Sequence, residues 1–252
     1  MKKITAEALA QAAGGVLAHE GNEPVAEHIS LDSRKMAGND LFVPIIGERA
    51  DGHDYICMDI GNGATVVFTS RHKTEEEVQE AILTQCKGDK EEETAAKAAA
   101  WICVPDTRKA LQDFGAYCRR NNPIPLVGIT GSVGKTTTRE MVAAALSAGF
   151  LVYKTPGNSN SQVGVPITVA EIPENAEIGV IELGMSEPGE MTRIANVAQV
   201  NCAVMTNIGV AHIEQLGSQE NILKEKLHIQ DGMSEKGTLF LNGDDPLLRD
   251  VV

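Results

Sequence analysis

The sequence predicts an α/β protein. A small N-terminal α/β domain over residues 1–122 precedes, over 123–252, a mostly parallel sheet of the P-loop NTPase type with helices on both faces. Three observations carry this. Leu126-Val-Gly-Ile-Thr-Gly-Ser-Val-Gly-Lys-Thr-Thr-Thr138 runs from an apolar strand through a Gly-rich turn into a helix. Beyond it, apolar strands alternate with helices, the pattern of a parallel sheet buried on both faces. Asn121-Asn-Pro-Ile-Pro125 holds a proline pair that breaks helix and sheet alike and marks the boundary.

In chain order, a helix is expected over 3–13, with Thr5 as N-cap and Gly14-Gly15 as its stop. Strands follow over 25–31, 41–46 and 64–69, with a helix over 55–60 closed by Gly61-Asn-Gly63. The 73–100 stretch is rich in Glu, Lys and Ala, which favour helix. Lys87-Gly-Asp-Lys-Glu-Glu-Glu93 interrupts it, so an exposed helical hairpin or an irregular insertion is expected. A strand over 101–104 leads to a helix over 107–119, with Asp106 as N-cap. In the second domain strands are expected over 126–130, 151–154, 178–183, 202–206 and 238–242. Helices are expected over 136–148, around 165–171, over 189–198 and over 220–230.

Composition narrows the function classes. The chain has 252 residues, enough for two modest cores, and an apolar fraction of 42%. A net charge of −13 argues against non-specific nucleic-acid binding and fits simple solubility. The cysteines Cys57, Cys86, Cys103, Cys118 and Cys202 form no CxxC pair, so reduced, mostly buried thiols in a cytoplasmic protein are expected. Met1-Lys-Lys-Ile-Thr-Ala-Glu7 has no apolar core of a secretory signal. No apolar run approaches the ~20 residues of a membrane span, so no membrane insertion is expected.

The chemistry centres on the Gly-rich turn. Small residues let backbone N–H groups converge on phosphate oxygens, and a helix N-terminus adds partial positive charge. Lys135 can reach outer phosphates and the Thr136 hydroxyl can ligate magnesium. Ile129 stands where the general pattern wants glycine. Ligands of parallel sheets gather at the carboxyl ends of the strands, which points to Glu182 and to Thr206-Asn207. Glu182 could hold magnesium beside Thr136 or cap the following helix. His212, alone in a loop, reads as solvated, and the charges at 224–226, Lys226 included, read as a solvated helix face. Asn158-Ser-Asn-Ser161 is either turn chemistry or a ligand-contact loop.

Together these residues resemble the Mur ligases, the ATP-dependent amide-forming enzymes of peptidoglycan precursor synthesis. The likeness runs from Leu31-Asp-Ser-Arg34, Gly38-Asn-Asp-Leu-Phe-Val43 and Gly47-Glu-Arg-Ala-Asp-Gly-His53 to Gly128-Ile-Thr-Gly-Ser-Val-Gly-Lys-Thr-Thr137. It continues through Ile181-Glu-Leu-Gly-Met185, Thr206-Asn-Ile-Gly-Val-Ala-His212 and Gly217-Ser-Gln-Glu-Asn-Ile222 with Lys226. Ile129 belongs to the family's own form of the loop. Lys154-Thr-Pro-Gly-Asn-Ser-Asn-Ser-Gln-Val-Gly-Val-Pro166 is most similar to the branch that joins D-Ala-D-Ala to UDP-MurNAc-tripeptide. Ser159, Ser161 and Lys224-Glu-Lys226 depart from the usual pattern.

The resemblance implies ATP and Mg2+ as cofactors, and a monomer. It implies that Thr130, Gly131, Ser132, Val133, Gly134, Lys135, Thr136, Thr137 and Asn207 bind nucleotide. Lys135, Glu182, His212 and Lys226 are then the catalytic set. Thr136 and Glu182 would hold one magnesium and His212 a second, with Lys226 either joining as a metal-bridging carbamate or, as a free ammonium, contacting phosphate. Asp32, Ser33 and Arg34 would contact the uridine end of the substrate, and Asn158 and Asn160 its peptide. It also implies that the family's central domain continues beyond residue 252 and that a C-terminal domain follows, so the 252-residue form is expected to show weak or no turnover.

Overall fold

The structure, a computed structural model, describes residues 1–22 and 24–251, without the side chain of Ser33. The chain falls into two compact units, Met1–Phe114 and Gly115–Val252.

The first unit contains β1 (Ile4–Thr5), α1 (Ala6–Ala13), β2 (Val16–His19), β3 (Val25–Ala26), β4 (His28–Ser30) and β5 (Asp40–Phe42). It continues with α2 (Ile56–Gly61), β6 (Ala64–Thr69), α3 (Glu75–Cys86), α4 (Lys90–Ala98), β7 (Ala100–Cys103) and the start of α5 (Thr107–Asn121). Its five-stranded sheet has the order β2-β7-β6-β5-β4, in which β4 to β7 are parallel and β2 is antiparallel to β7. Thr5 caps α1 and Gly14 ends it in the left-handed conformation, as the sequence predicts.

Three expectations change. The strand over 25–31 is split, because β3 pairs with β1 while β4 pairs with β5, and the Glu27 carbonyl between them accepts from the N-terminal amine. The strand over 41–46 stops at Phe42; the Pro44 carbonyl beyond it accepts from the Thr107 hydroxyl, outside the sheet. The 73–100 stretch is a pair of helices whose Val78, Ile82, Cys86 and Ala96 enter the core with Ile56, Ile60 and Trp101. The exposed Glu and Lys residues there are the outer face of a packed hairpin. β2 has no forecast in the sequence: it is an edge strand with Val16 exposed.

α5 spans the division between the units. The guanidinium of Arg119, near its end, donates to Ala198 O at 2.9 Å, to Gln199 O at 3.2 Å and to the Asn201 side chain at 3.3 Å. These bonds draw the last turns of α5 into the second unit, so the division by contacts falls at Phe114–Gly115.

The second unit contains β8 (Leu126–Thr130), α6 (Lys135–Leu146), β9 (Val152–Lys154), α7 (Gly164–Ala170), β10 (Ile178–Glu182) and α8 (Glu190–Ala198). β11 (Cys202–Met205), α9 (Ile213–Leu216), α10 (Gln219–Leu227), β12 (Thr238–Leu241) and α11 (Pro246–Arg249) complete it. All strands of the sheet β12-β11-β8-β10-β9 are parallel. Alternation along the strands builds two cores. Ile129 and Val180 pack with Ala143 of α6 on one face. Leu126 and Ile181 pack with Val165, Val169, Met191 and Ile194 of α7 and α8 on the other. Helices therefore cover both faces, as the sequence predicts.

All five cysteines are free, but only Cys57 and Cys86 are fully buried. Burial pushes every one of these thiols up, which leaves them poor nucleophiles. Among the described residues no helix is long and apolar enough to cross a membrane.

Trp101 is completely buried, and its indole N–H donates to Ala96 O at 3.3 Å. Replacing it with alanine removes the largest side chain of the first core and is expected to cost about 3–5 kcal/mol in urea unfolding of the chain.

Candidate functional site

β8 is apolar and nearly all buried, so the chain must turn sharply where it leaves the sheet. Gly131 makes that turn with φ 143°, and a Cβ there would lie 1.9 Å from Thr206 Oγ1. No residue but glycine fits that approach. Gly134 begins α6 at φ 82°, again left-handed.

The segment after β11 clamps the loop. Asn207 accepts from Ser132 N through its carbonyl at 3.0 Å and from Val133 N through Oδ1 at 2.9 Å. Thr206 Oγ1 donates to Val133 O at 2.6 Å, and Gly209 N donates to Ser132 Oγ at 2.8 Å. Asp245 supports the clamp by accepting from Ile208 N at 2.8 Å. The amides of Ser132 and Val133 are thus engaged by Asn207. The backbone donors left for an anion are those at the start of α6, Gly134 to Thr137, because the first helical bond is Thr138 N to Gly134 O. Thr130 is fully buried, its hydroxyl has no partner among the described residues, and its carbonyl accepts from Thr206 N. It belongs to the scaffold of the loop.

Two ammonium groups converge on one carbonyl. Lys135 Nζ donates to Gly131 O at 2.9 Å and Lys226 Nζ to the same oxygen at 3.2 Å. Lys226 is 2% exposed. Burial first, and then the Lys135 charge, pull its pKa down to about 8, against the opposing pull of Glu225. The solvated-face reading of 224–226 therefore holds for Lys224 alone. Glu225 is also buried, and its carboxylate accepts from Gly189 N and Met191 N, each at 2.9 Å, at the start of α8.

Glu182 ends β10 and is 1% exposed. Its Oε2 accepts from Thr136 Oγ1 at 3.1 Å and from Arg139 Nη1 at 3.4 Å, and its Oε1 accepts from Asn160 Nδ2 at 2.8 Å. Its backbone N–H donates to the buried Thr155 hydroxyl at 2.8 Å. It caps no helix; Glu225 does that for α8. The hydroxyl–carboxylate pair of Thr136 and Glu182 supplies hard oxygen donors, the type magnesium takes alongside phosphate and water.

His212 is exposed in the left-handed conformation before α9, and among the described residues its ring has no hydrogen-bond or ion-pair partner. Among the described residues no group of three His, Cys, Asp or Glu side chains could hold a metal. Asn158 is exposed, while Asn160 is drawn into the Glu182 network. In the first unit, Asp32 caps a short 3-10 turn and accepts from Arg34 Nε at 2.8 Å and Nη2 at 2.6 Å. Those bonds hold its carboxyl down at about 2. The Ser33 side chain lies outside the described part of the chain.

Sequence reasoning missed Thr155, Arg139 and Glu225. Thr155 directly follows β9 and was open to the strand-end argument that found Glu182. Arg139 stands one helical turn after Lys135, a spacing that places both on one side of α6. Glu225 had no local signal, because its partners lie more than thirty residues away.

Residues 26–118 match the model for the Mur ligase family, catalytic domain, and residues 129–252 match the Mur ligase middle domain. The UDP-N-acetylmuramoyl-tripeptide--D-alanyl-D-alanine ligase of Bacillus subtilis is 37% identical over all 252 residues, which correspond to 51% of that relative. The Escherichia coli enzyme of the same name is 31% identical over 245 residues, 97% of this chain and 49% of the relative. Among solved structures, MurF from Acinetobacter baumannii superposes with a TM-score of 0.83 at 29% identity, over 98% of this chain and 50% of that one. MurF from Thermotoga maritima in complex with ADP gives 0.72 at 30% identity, over 89% and 47%. The chain spans about half the length of the curated relatives it matches. With both domain models in chain order and the loop held as described, the chain belongs to the Mur ligase family.

Proposed function

We propose that this chain carries the substrate-binding and nucleotide-binding parts of an ATP-dependent ligase of peptidoglycan precursor synthesis. The reaction would join D-Ala-D-Ala to UDP-MurNAc-tripeptide. The observation that carries this reading is the phosphate loop with Lys135 at its rim and Thr136 against Glu182. The names of the relatives and the ADP bound to the Thermotoga maritima protein support it.

A carboxylate is a poor electrophile, so amide formation requires its conversion to an acyl phosphate before the dipeptide amine attacks and phosphate leaves. ATP with magnesium supplies the phosphoryl group and part of the charge compensation. The chain's own residues do the rest. The amides of Gly134 to Thr137 face the incoming phosphates. Lys135 exchanges its bond to Gly131 O for a phosphate oxygen and stabilises the charge that develops there. Thr136 and Glu182 would hold the metal, and His212, exposed in this structure, would serve as a ligand to a second one. Lys226 has a raised share of neutral amine near pH 8, the form that attacks CO2. N–C bond formation with loss of a proton to solvent would give a carbamate anion, whose oxygens could serve as further metal ligands. In the first unit Asp32, Ser33 and Arg34 are the residues offered to the uridine end.

Calorimetric titration with ATP–magnesium, ADP–magnesium and UDP-MurNAc-tripeptide tests this reading on the 252-residue chain. Micromolar to millimolar nucleotide binding is expected, and Lys135→Ala should weaken it by about tenfold or more through loss of a charge-assisted bond. Absence of nucleotide binding would sink the proposal. Binding of both ligands without ADP release in a coupled assay would assign this form a binding role only.

A second measurement concerns Lys226. Its folded-state pKa is about 8 against a usual 10.5. Between those values the unfolded chain holds a proton that the folded chain has released, so stability rises with pH across that window. Urea unfolding at several alkaline pH values should show this rise, and Lys226→Met should flatten it.

A further inference from the structure

Arg139 is buried at 5% exposure, and the phosphate loop does not account for it. Its guanidinium is shared among three acceptors. Nη1 donates to Gly157 O at 2.7 Å and to Glu182 Oε2 at 3.4 Å. Nε and Nη2 donate to Glu140 Oε1 at 3.1 and 2.7 Å. Glu140 also pairs with Lys154, whose neighbour Thr155 accepts from the Glu182 backbone. A permanent cation thus lies against the same carboxylate oxygen that takes the Thr136 hydroxyl. Through Gly157 it also holds the loop that brings Asn160 to the other oxygen.

We infer that Arg139 is a positioning residue that makes cation binding at Glu182 contingent on nucleotide. The inference rests on Thr136 and Glu182 as the metal-holding pair of a nucleotide site. Two cations drawn to one buried carboxylate oxygen repel each other, and Glu140 offsets only part of the Arg139 charge. A divalent ion alone therefore meets a carboxylate already compensated. With a nucleotide, the phosphates add negative charge that outweighs the guanidinium, so metal and nucleotide enter together. The bond from Arg139 to Gly157 O keeps the 156–161 loop in register while this happens, which a mobile counter-ion could not do.

The test is titration of the full 252-residue chain with Mn2+, with and without ADP, followed by electron paramagnetic resonance of the free ion. For the unaltered chain, ADP should strongly enhance Mn2+ affinity. Arg139→Met and Arg139→Gln should each tighten Mn2+ binding without ADP by about tenfold or more, which shrinks the ADP enhancement. Arg139→Lys keeps the charge and should hold Mn2+ affinity within about twofold, while the amides of 157–161 exchange hydrogen faster because the Gly157 bond is lost. Folded neutral variants whose Mn2+ affinity without ADP is unchanged or lower overturn the inference. If neither neutral variant folds, Arg139→Lys decides: unchanged exchange of 157–161 or a large shift in Mn2+ affinity overturns it, and the expected pattern upholds it. An unaltered chain that binds no Mn2+ even with ADP overturns the metal–nucleotide reading and this inference with it. ADP-dependent binding that is equal in the unaltered and neutral chains overturns this inference alone.

Discussion

The second unit depends above all on the burial of one carboxylate. An ionised side chain at 1% exposure costs several kcal/mol unless donors compensate it, and those donors must be held where it needs them. Glu182 draws on Thr136 and Arg139 from α6 and on Asn160 from the loop after β9, and its own amide is fixed by Thr155. These groups come from different stretches of chain that meet only because β9, β10 and β8 run parallel with their carboxyl ends together. The sheet thereby converts a local charge penalty into a demand on the placement of α6 and the 156–161 loop.

A second constraint sits on the neighbouring strand. Gly131 lacks a side chain, so Thr206 can press against the phosphate loop and Asn207 can take two of its amides. β11 is the clamp for β8 in the same way that β10 supplies its carboxylate. Between them, the Gly131 carbonyl gathers Lys135 and Lys226, two cations from elements 91 residues apart in sequence by their numbers. The loop is a junction of three strands and two helices, and its chemistry follows from that convergence. The amides that the clamp leaves open are those at the start of α6, because Ser132 N and Val133 N already serve Asn207.

Much of this was legible beforehand where the signal was local. The phosphate loop, the alternation of strand and helix after it, the cap at Thr5 and the stop at Gly14 all rest on neighbours within a few residues. The strand-end argument singled out Glu182, which ends β10. It left Thr155 unnoticed, although that residue directly follows a strand of the same sheet. Other readings turned on what lay across the fold. The charges at 224–226 look like a solvated face in sequence, yet Glu225 is buried as the cap of α8 and Lys226 is buried against the loop. The 73–100 stretch looks like an exposed helical hairpin or insertion because its polar residues outnumber its apolar ones, yet Val78, Ala81, Ile82, Cys86, Ala96 and Ala99 seat it in the core.

By itself the sequence determined the fold class and the place of the Gly-rich loop between β8 and α6, because hydrophobic period, glycine conformational freedom and capping are short-range properties. Only the tertiary structure decided which of the candidate residues meet. It joined Thr136, Arg139 and Asn160 to Glu182 and placed Lys226 beside Lys135. It also left His212 exposed and spent Asp32 on Arg34. The reason is physical: a side chain's partners, burial and titration depend on charges and donors brought near by the register of a parallel sheet, and that register is set by packing across the whole unit.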